Sequence, residues 1–137
     1  MKSNIRSLSI FLPAYNESEN ISKSVNALIK SIPENIIYEL IVVDDGSTDS
    51  TPQIVRNLIR NNDKIRLIRH RKNMGYGSAI ATGLRASKKE WIFFADSDAQ
   101  FDYRQIKKFI NASNNYDMVI GYREKRADPF VRKLNSS

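Results

Sequence analysis

The most chemically capable residues of this sequence stand at the ends of apolar runs. Asp96 and Asp98 lie one residue apart directly after Trp91–Ala95, WIFFA, which reads as a buried strand. An apolar run carries carboxylates to an edge or crevice, because a dry core would penalise their charge. At strand period the two share a face, and in the turn that must follow both can reach one hard cation. Oxygen ligands suit Mg²⁺ or Mn²⁺. Such an ion bridges a substrate diphosphate and offsets charge as the diphosphate leaves. Glycosidase-type acid–base work fits less well, since two carboxylates this close in a turn do not easily flank opposite faces of a sugar ring. Transfer through an aspartyl phosphate calls for a strand-end lysine that cannot be placed here.

A second acidic strand end supports the first. Asp44 and Asp45 follow Leu40–Val43, LIVV, and open the segment DDGSTD. One of them can accept from a base N–H or a ribose hydroxyl while the other orients the turn. A purely local reading competes: DDGST also satisfies itself as an Asx-turn and helix cap. His70, the lone histidine, is a possible general base, but between Arg69 and Arg71 it reads more simply as polar surface. Tyr15, Tyr76, Tyr103, Tyr116 and Tyr122 are candidates for stacking on a base, with core and rim roles the plainer alternative. Arg123, Lys125, Arg126, Arg132 and Lys133 can hold phosphates or dock on anionic lipid, or simply form a solvated charge run.

The elements that must position these residues follow from periodicity. Ser7–Leu12 reads as a first strand ended by Pro13, and Asn16 or Ser18 is the expected cap of the next helix. Ile21, Val25, Leu28, Ile29 and Ile32 give that helix its apolar stripe. A second strand lies within Ile36–Val43, and Gly46 permits the tight turn after it. Ser50 or Thr51 is the expected cap of a second helix, with Pro52 in its first turn. Ile65–Ile68 is a third strand, and a small-residue helix runs from Ser78 to about Ser87. Trp91–Ala95 is the fourth strand, Asp102 caps a fourth helix, and Asp117–Ile120 is expected as a fifth strand. Alternating strands and helices predict a three-layer α/β/α sandwich on a mostly parallel sheet. Sites in such folds lie past the carboxyl ends of the strands, where PAYNE, DDGSTD, Asn73–Gly77 and DSDAQ all fall.

Composition bounds the function classes. The chain has 137 residues, 41% hydrophobic and 27% charged, which suits one soluble domain. No apolar run approaches a membrane span, and the N-terminal stretch lacks the apolar core of a signal peptide, so a cytoplasmic location is expected. There are no cysteines, which excludes disulfides and thiolate metal sites. The net charge of +7 points to an anionic partner or a solvated basic face. Nucleic acid is not expected, because no nucleic-acid module signature is present. The dinucleotide fingerprint and the P-loop are absent too.

Four segments together resemble the inverting family 2 glycosyltransferases, which have the Rossmann-like, nucleotide-sugar-binding GT-A fold. They are PAYNE at 13–17, VVDDGSTDST at 42–51, NMGYGSAIATG at 73–83 and ADSDAQFD at 95–102. The tail GYREKRADPFVRKLNS, 121–136, is similar to the branch that uses polyprenyl- or dolichyl-phosphate acceptors. The resemblance implies that Pro13, Ala14, Tyr15 and Glu17 form the first nucleotide-binding loop, with Glu17 toward the ribose. It implies that Asp44 reads the pyrimidine ring, that Asp45 and Ser47 support that loop, and that Asn73, Gly75 and Gly77 close beside the donor. Asp96 would lie near ribose or sugar, Asp98 would reach the metal directly, and Gln100 would sit at or beside the ligand set. Arg123 would meet donor or acceptor phosphate.

The implied reaction moves a hexose from a UDP- or GDP-sugar to an acceptor, with Mg²⁺ or Mn²⁺ at the diphosphate. A lipid-phosphate acceptor, with a second pKa of about 6, would need no strong general base. That fits the lack of an evident one. Family members continue past the basic tail with acceptor-side elements. Residues 1–137 are therefore expected to form a single donor-binding domain, incomplete on the acceptor side, that needs more polypeptide or a partner subunit and sits at the cytoplasmic membrane face. A noncatalytic domain that kept the fold is the alternative.

Overall fold

The structure is a computed structural model and describes residues 5–98 and 100–121. Four strands, β1 (Ser7–Ala14), β2 (Ile37–Asp44), β3 (Ile65–Arg69) and β4 (Trp91–Phe94), form one sheet in the order β3-β2-β1-β4. All three pairings are parallel, with Ile10 opposite both Leu40 and Phe93. The connections are helices α1 (Ile21–Ser31), α2 (Thr51–Asn61) and α3 (Tyr76–Ala86). A short 3-10 turn at Tyr103–Gln105 leads into α4 (Ile106–Ala112). Strand order reverses between β1 and β4, so a crevice opens there at the carboxyl ends of the strands.

The pleat sorts the side chains into two cores. Leu8, Ile10, Leu12, Leu40 and Val42 face α1, α2 and α4, and meet Ile21, Val25, Leu28, Val55 and Ile106. Phe11, Ile41 and Val43 face the other way, toward Ala79 of α3. Each fully buried aliphatic side chain contributes roughly 1.5–3 kcal/mol. The small residues of α3 are there for contact: a Cβ at Gly83 would stand 2.3 Å from Cδ2 of Phe11. Only a hydrogen fits, so α3 lies close against β1 and its N-terminus is held beside the strand ends.

Several sequence expectations change. Pro13 does not end β1, which runs on to Ala14. Its carbonyl accepts from Ser97 Oγ, so its nitrogen points to the β4 side, beyond the last β4 pairing at Phe94, where no ladder donor is required. Neither Asn16 nor Ser18 caps α1. The carbonyl of Glu17 instead accepts from the amides of Asn20 and Ile21, at 3.0 and 2.8 Å. At α2 Ser50 stands at the N-cap, but its side chain makes no capping bond; Asp49 supplies it, its Oδ1 accepting from Thr51 N at 2.9 Å and Thr51 Oγ1 at 2.5 Å. Helix α3 begins at Tyr76, two residues before the expected Ser78.

Strand β4 is half-buried. Trp91 and Phe93 face the α1 and α4 side, whereas Ile92 and Phe94 are 40% and 45% exposed. Asp117–Ile120 forms no strand among the described residues, and Met118 and Ile120 stand in solvent. An apolar run becomes a strand only where a sheet edge takes it, and no strand among the described residues pairs with this one. No helix among the described residues is long and apolar enough to cross a membrane.

Candidate functional site

The loops after β1 and β2 are stitched together by side-chain-to-backbone bonds. Ser47 Oγ accepts from Asn16 N at 2.9 Å, and Thr51 Oγ1 accepts from Glu17 N at 3.0 Å. Asp49 Oδ2 accepts from Ser18 N, and Asn16 Oδ1 accepts from Thr48 N at 2.8 Å. Asn16 sits at φ 51, a left-handed conformation that asparagine tolerates well. The residues expected to cap α1 are thus used to lock the two loops into one wall.

The acidic turn after β4 is fastened from behind. Ser97 Oγ donates to the Pro13 carbonyl at 2.8 Å, Ser24 Oγ donates to the Ser97 carbonyl at 2.9 Å, and the Tyr103 hydroxyl donates to the Asp96 carbonyl at 2.6 Å. The Asp96 and Ser97 carbonyls of the turn are therefore satisfied, as is the Pro13 carbonyl of β1, and the Asp96 and Asp98 side chains are left to face the cavity. The Tyr76 hydroxyl crosses from the start of α3 to Asp96 Oδ1 at 3.0 Å. Burial pushes the Tyr76 phenol up to about 12, helped by that hydrogen bond and by the charges of Asp96 and Asp98.

Asp44 and Asp45 have different fates because adjacent strand residues face opposite ways. Asp44 is fully buried; its Oδ1 accepts from the Ser47 amide and hydroxyl, and its Oδ2 accepts from Arg69 Nε at 3.0 Å. It lines no part of the crevice, and the local turn reading describes it. Asp45 does reach the crevice. Its Oδ1 accepts from Met74 N and its Oδ2 from Gly75 N, both at 2.9 Å, and His70 Nδ1 stands 2.8 Å from Oδ1. Burial alone would raise the Asp45 carboxyl. The Met74 amide, His70 and the Gly75 amide outweigh it and hold the group below the usual carboxylate range. Gly46, at φ 73, lets this turn press against the backbone of Lys72 and Asn73; a Cβ there would meet the Lys72 carbonyl carbon at 2.3 Å.

These loops enclose a cavity of about 460 Å³ at the carboxyl ends of β1, β2 and β4. Pro13, Ala14, Tyr15 and Glu17 line one side, Asp45, Asn73 and Gly75 another, and Asp96 and Asp98 a third. Among the described residues, Asp44 and Gln100 do not line it. Gln100 contributes its amide to Asp98 Oδ1 at 3.0 Å, and its residue is exposed. Arg123 lies outside the described residues. Tyr76, Ala79 and Ser97 complete the lining. The serine between two acidic residues and the small residue one helical turn past Gly75 carry no chemical signal of their own, so only packing reveals them.

Four carboxylates line this cavity, and no lysine, arginine or histidine does among the described residues. Such a surface repels an anionic ligand unless a cation intervenes. Asp96 and Asp98 supply hard oxygen donors, and Mg²⁺ or Mn²⁺ commonly uses one or two carboxylates with substrate phosphates completing the shell. The described residues contain no group of three or more acidic, histidine or cysteine side chains gathered for a metal. The two carboxylates at this rim of the cavity are a donor set that fits a cation whose shell a ligand completes.

Comparison with known proteins follows the same lines. The family model described as Glycosyl transferase family 2 matches residues 9–136. Dolichyl-phosphate beta-glucosyltransferase ALG5C of Trichomonas vaginalis is 36% identical over 124 residues, covering 82% of this chain and 37% of the relative. The mannosyltransferase PcManGT from Pyrobaculum calidifontis, solved in complex with GDP-Man and Mn²⁺, superposes with a TM-score of 0.67 at 25% identity, covering 83% of this chain and 35% of that one. S. aureus TarS in complex with UDP-GlcNAc superposes with a TM-score of 0.65 at 31% identity, covering 77% of this chain and 30% of that one. The chain spans between 19% and 41% of the length of the curated relatives it matches.

Proposed function

The chain belongs to glycosyl transferase family 2, and from that membership and its acid-lined cavity we propose that it is the donor-binding part of a metal-dependent inverting glycosyltransferase. The donor is a UDP- or GDP-sugar, the transferred group a hexose, and the acceptor a polyprenyl or dolichyl phosphate. The observation that carries the reading is the meeting of Asp45, Asp96 and Asp98 at one cavity where the parallel strands end. The nucleotide sugars held by two solved structures of like fold support the donor class. The lipid-phosphate activity named for a relative supports the acceptor.

In this reading Pro13, Ala14, Tyr15 and Glu17 receive the nucleoside, and Asn73 and Gly75 close beside it. Asp45 acts through the loop it anchors, since its oxygens are engaged by the Met74 and Gly75 amides. Asp96 and Asp98 would hold Mg²⁺ or Mn²⁺, which when bound neutralises charge on the departing diphosphate. Arg123 adds positive charge toward a phosphate. A lipid phosphate is already anionic at neutral pH and attacks the anomeric carbon from the face opposite the nucleotide without a strong base. Calorimetry of the chain with UDP and with GDP, each with and without Mn²⁺, tests the donor site. Binding that requires the cation and disappears in Asp98→Ala is expected. Affinity that ignores both the metal and Asp98 would overturn the reading.

A further inference from the structure

We propose that Thr82, His70 and Asp45 form a hydrogen-bonded relay that positions the Asn73–Tyr76 wall of the cavity, with His70 a positioning residue for the nucleotide. This rests on the donor reading given above. His70 follows β3 directly, and its amide donates to the Asp44 carbonyl at 2.9 Å, so its backbone is fixed to β2. Its imidazole is largely covered, 11% exposed, between the end of β2 and the side of α3. Nδ1 stands 2.8 Å from Asp45 Oδ1, and Nε2 stands 2.8 Å from Thr82 Oγ1.

The chemistry of the partners assigns the protons. A carboxylate only accepts, so Nδ1 carries the hydrogen toward Asp45. In the neutral ring Nε2 then holds the lone pair, and the Thr82 hydroxyl donates to it. Asp45 therefore selects the Nδ1–H tautomer, and Thr82 completes the arrangement by donating to Nε2, so that the ring and the carboxylate hold each other in place. The oriented carboxylate receives the Met74 and Gly75 amides on its two oxygens. These amides belong to the loop whose Asn73, Gly75 and Tyr76 face the cavity. Thr82 lies in α3, the helix that this loop opens, so the relay closes a ring from the helix through the ends of β3 and β2 back to the two residues that lead into the helix. His70 does not line the cavity, so it acts through the loop.

The chain has a single histidine, so its imidazole resonances are unambiguous. Long-range proton–nitrogen NMR of the whole chain should show the Nδ1–H tautomer in the wild type and its loss in Asp45→Ala. Amide exchange at Met74 and Gly75 in the free protein should quicken about tenfold in His70→Leu, with UDP or GDP affinity in Mn²⁺ falling by about the same factor. His70→Asn, whose side-chain amide nitrogen falls near the Nδ1 position, should restore both. His70→Gln, whose nitrogen falls near Nε2, should not. An Nε2–H tautomer, or folded His70→Leu that keeps wild-type exchange and affinity, would overturn the relay. Equal behaviour of His70→Asn and His70→Leu would do the same. A wild type that binds neither nucleotide, while its tautomer and exchange follow expectation, would sink the donor reading and leave the relay standing.

Discussion

Ser97 Oγ donates to the Pro13 carbonyl at 2.8 Å, across 84 residues of chain. That one bond joins the acidic turn after β4 to the first loop after β1, and both line the cavity. It also uses the carbonyl on the side of β1 where β4 has already ended. Ser97→Ala leaves that buried carbonyl without its partner, which costs about 1–2 kcal/mol. A lower urea midpoint with unchanged slope is expected, together with weaker nucleotide binding in Mn²⁺. An unaltered midpoint would show that the bond does not hold the turn.

Asp44 and Asp98 separate stability from ligand binding. Asp44 is sealed beneath Ser47 and Arg69, whereas Asp98 faces the cavity. Asp44→Asn is expected to lower unfolding free energy by about 1–3 kcal/mol by weakening charge-assisted bonds. Asp98→Asn is expected to leave stability within about 0.5 kcal/mol and abolish cation-dependent nucleotide affinity. Denaturant unfolding and calorimetry on the same two variants check both halves.

Gly46 combines a left-handed backbone with a contact that has no room for a side chain. Gly46→Ala must strain φ and displace the backbone of Lys72 and Asn73 at once. The expected cost is about 1–3 kcal/mol or more. Because Asn73 lines the cavity, nucleotide affinity should fall as well. Chemical denaturation and a nucleotide titration give the two readings.

Asp49 makes the joined loops sensitive to acid. Burial pushes its carboxyl up, but hydrogen bonds from Thr51 and Ser18 outweigh this and bring it from 3.8 to about 2. The folded value lies below the unfolded one, so the contribution is present above about pH 4 and is lost as pH falls toward about 2. Asp49→Asn should be less stable than the wild type near pH 7, with the gap narrowing through that acid window. Urea midpoints measured across the window check the sign; a gap that widens on acidification would contradict it.

The local patterns were readable from the chain alone. Apolar runs of strand length alternating with helical stripes such as Ile21, Val25 and Leu28 specify a parallel α/β sheet, because each pattern reflects a neighbouring-residue geometry. The acidic ends of β2 and β4 were readable for the same reason: a carboxylate after an apolar run must either leave the core or be held by hydrogen bonds, as buried Asp44 is. Other features depended on what lay across from each residue. The direction of the pleat relative to α3 sends Asp45 to the cavity and seals Asp44 away, and no spacing distinguishes two adjacent aspartates. Pro13 stays in β1 because β4 stops short of it, and Asp117–Ile120 pairs with no strand among the described residues. His70 joins Asp45 and Thr82 across 25 and 12 residues of sequence. Sequence determines which groups the chain owns and which local shapes they favour; only the fold decides which of them share a surface, since hydrogen bonds and burial act over ångströms of space and not along the chain.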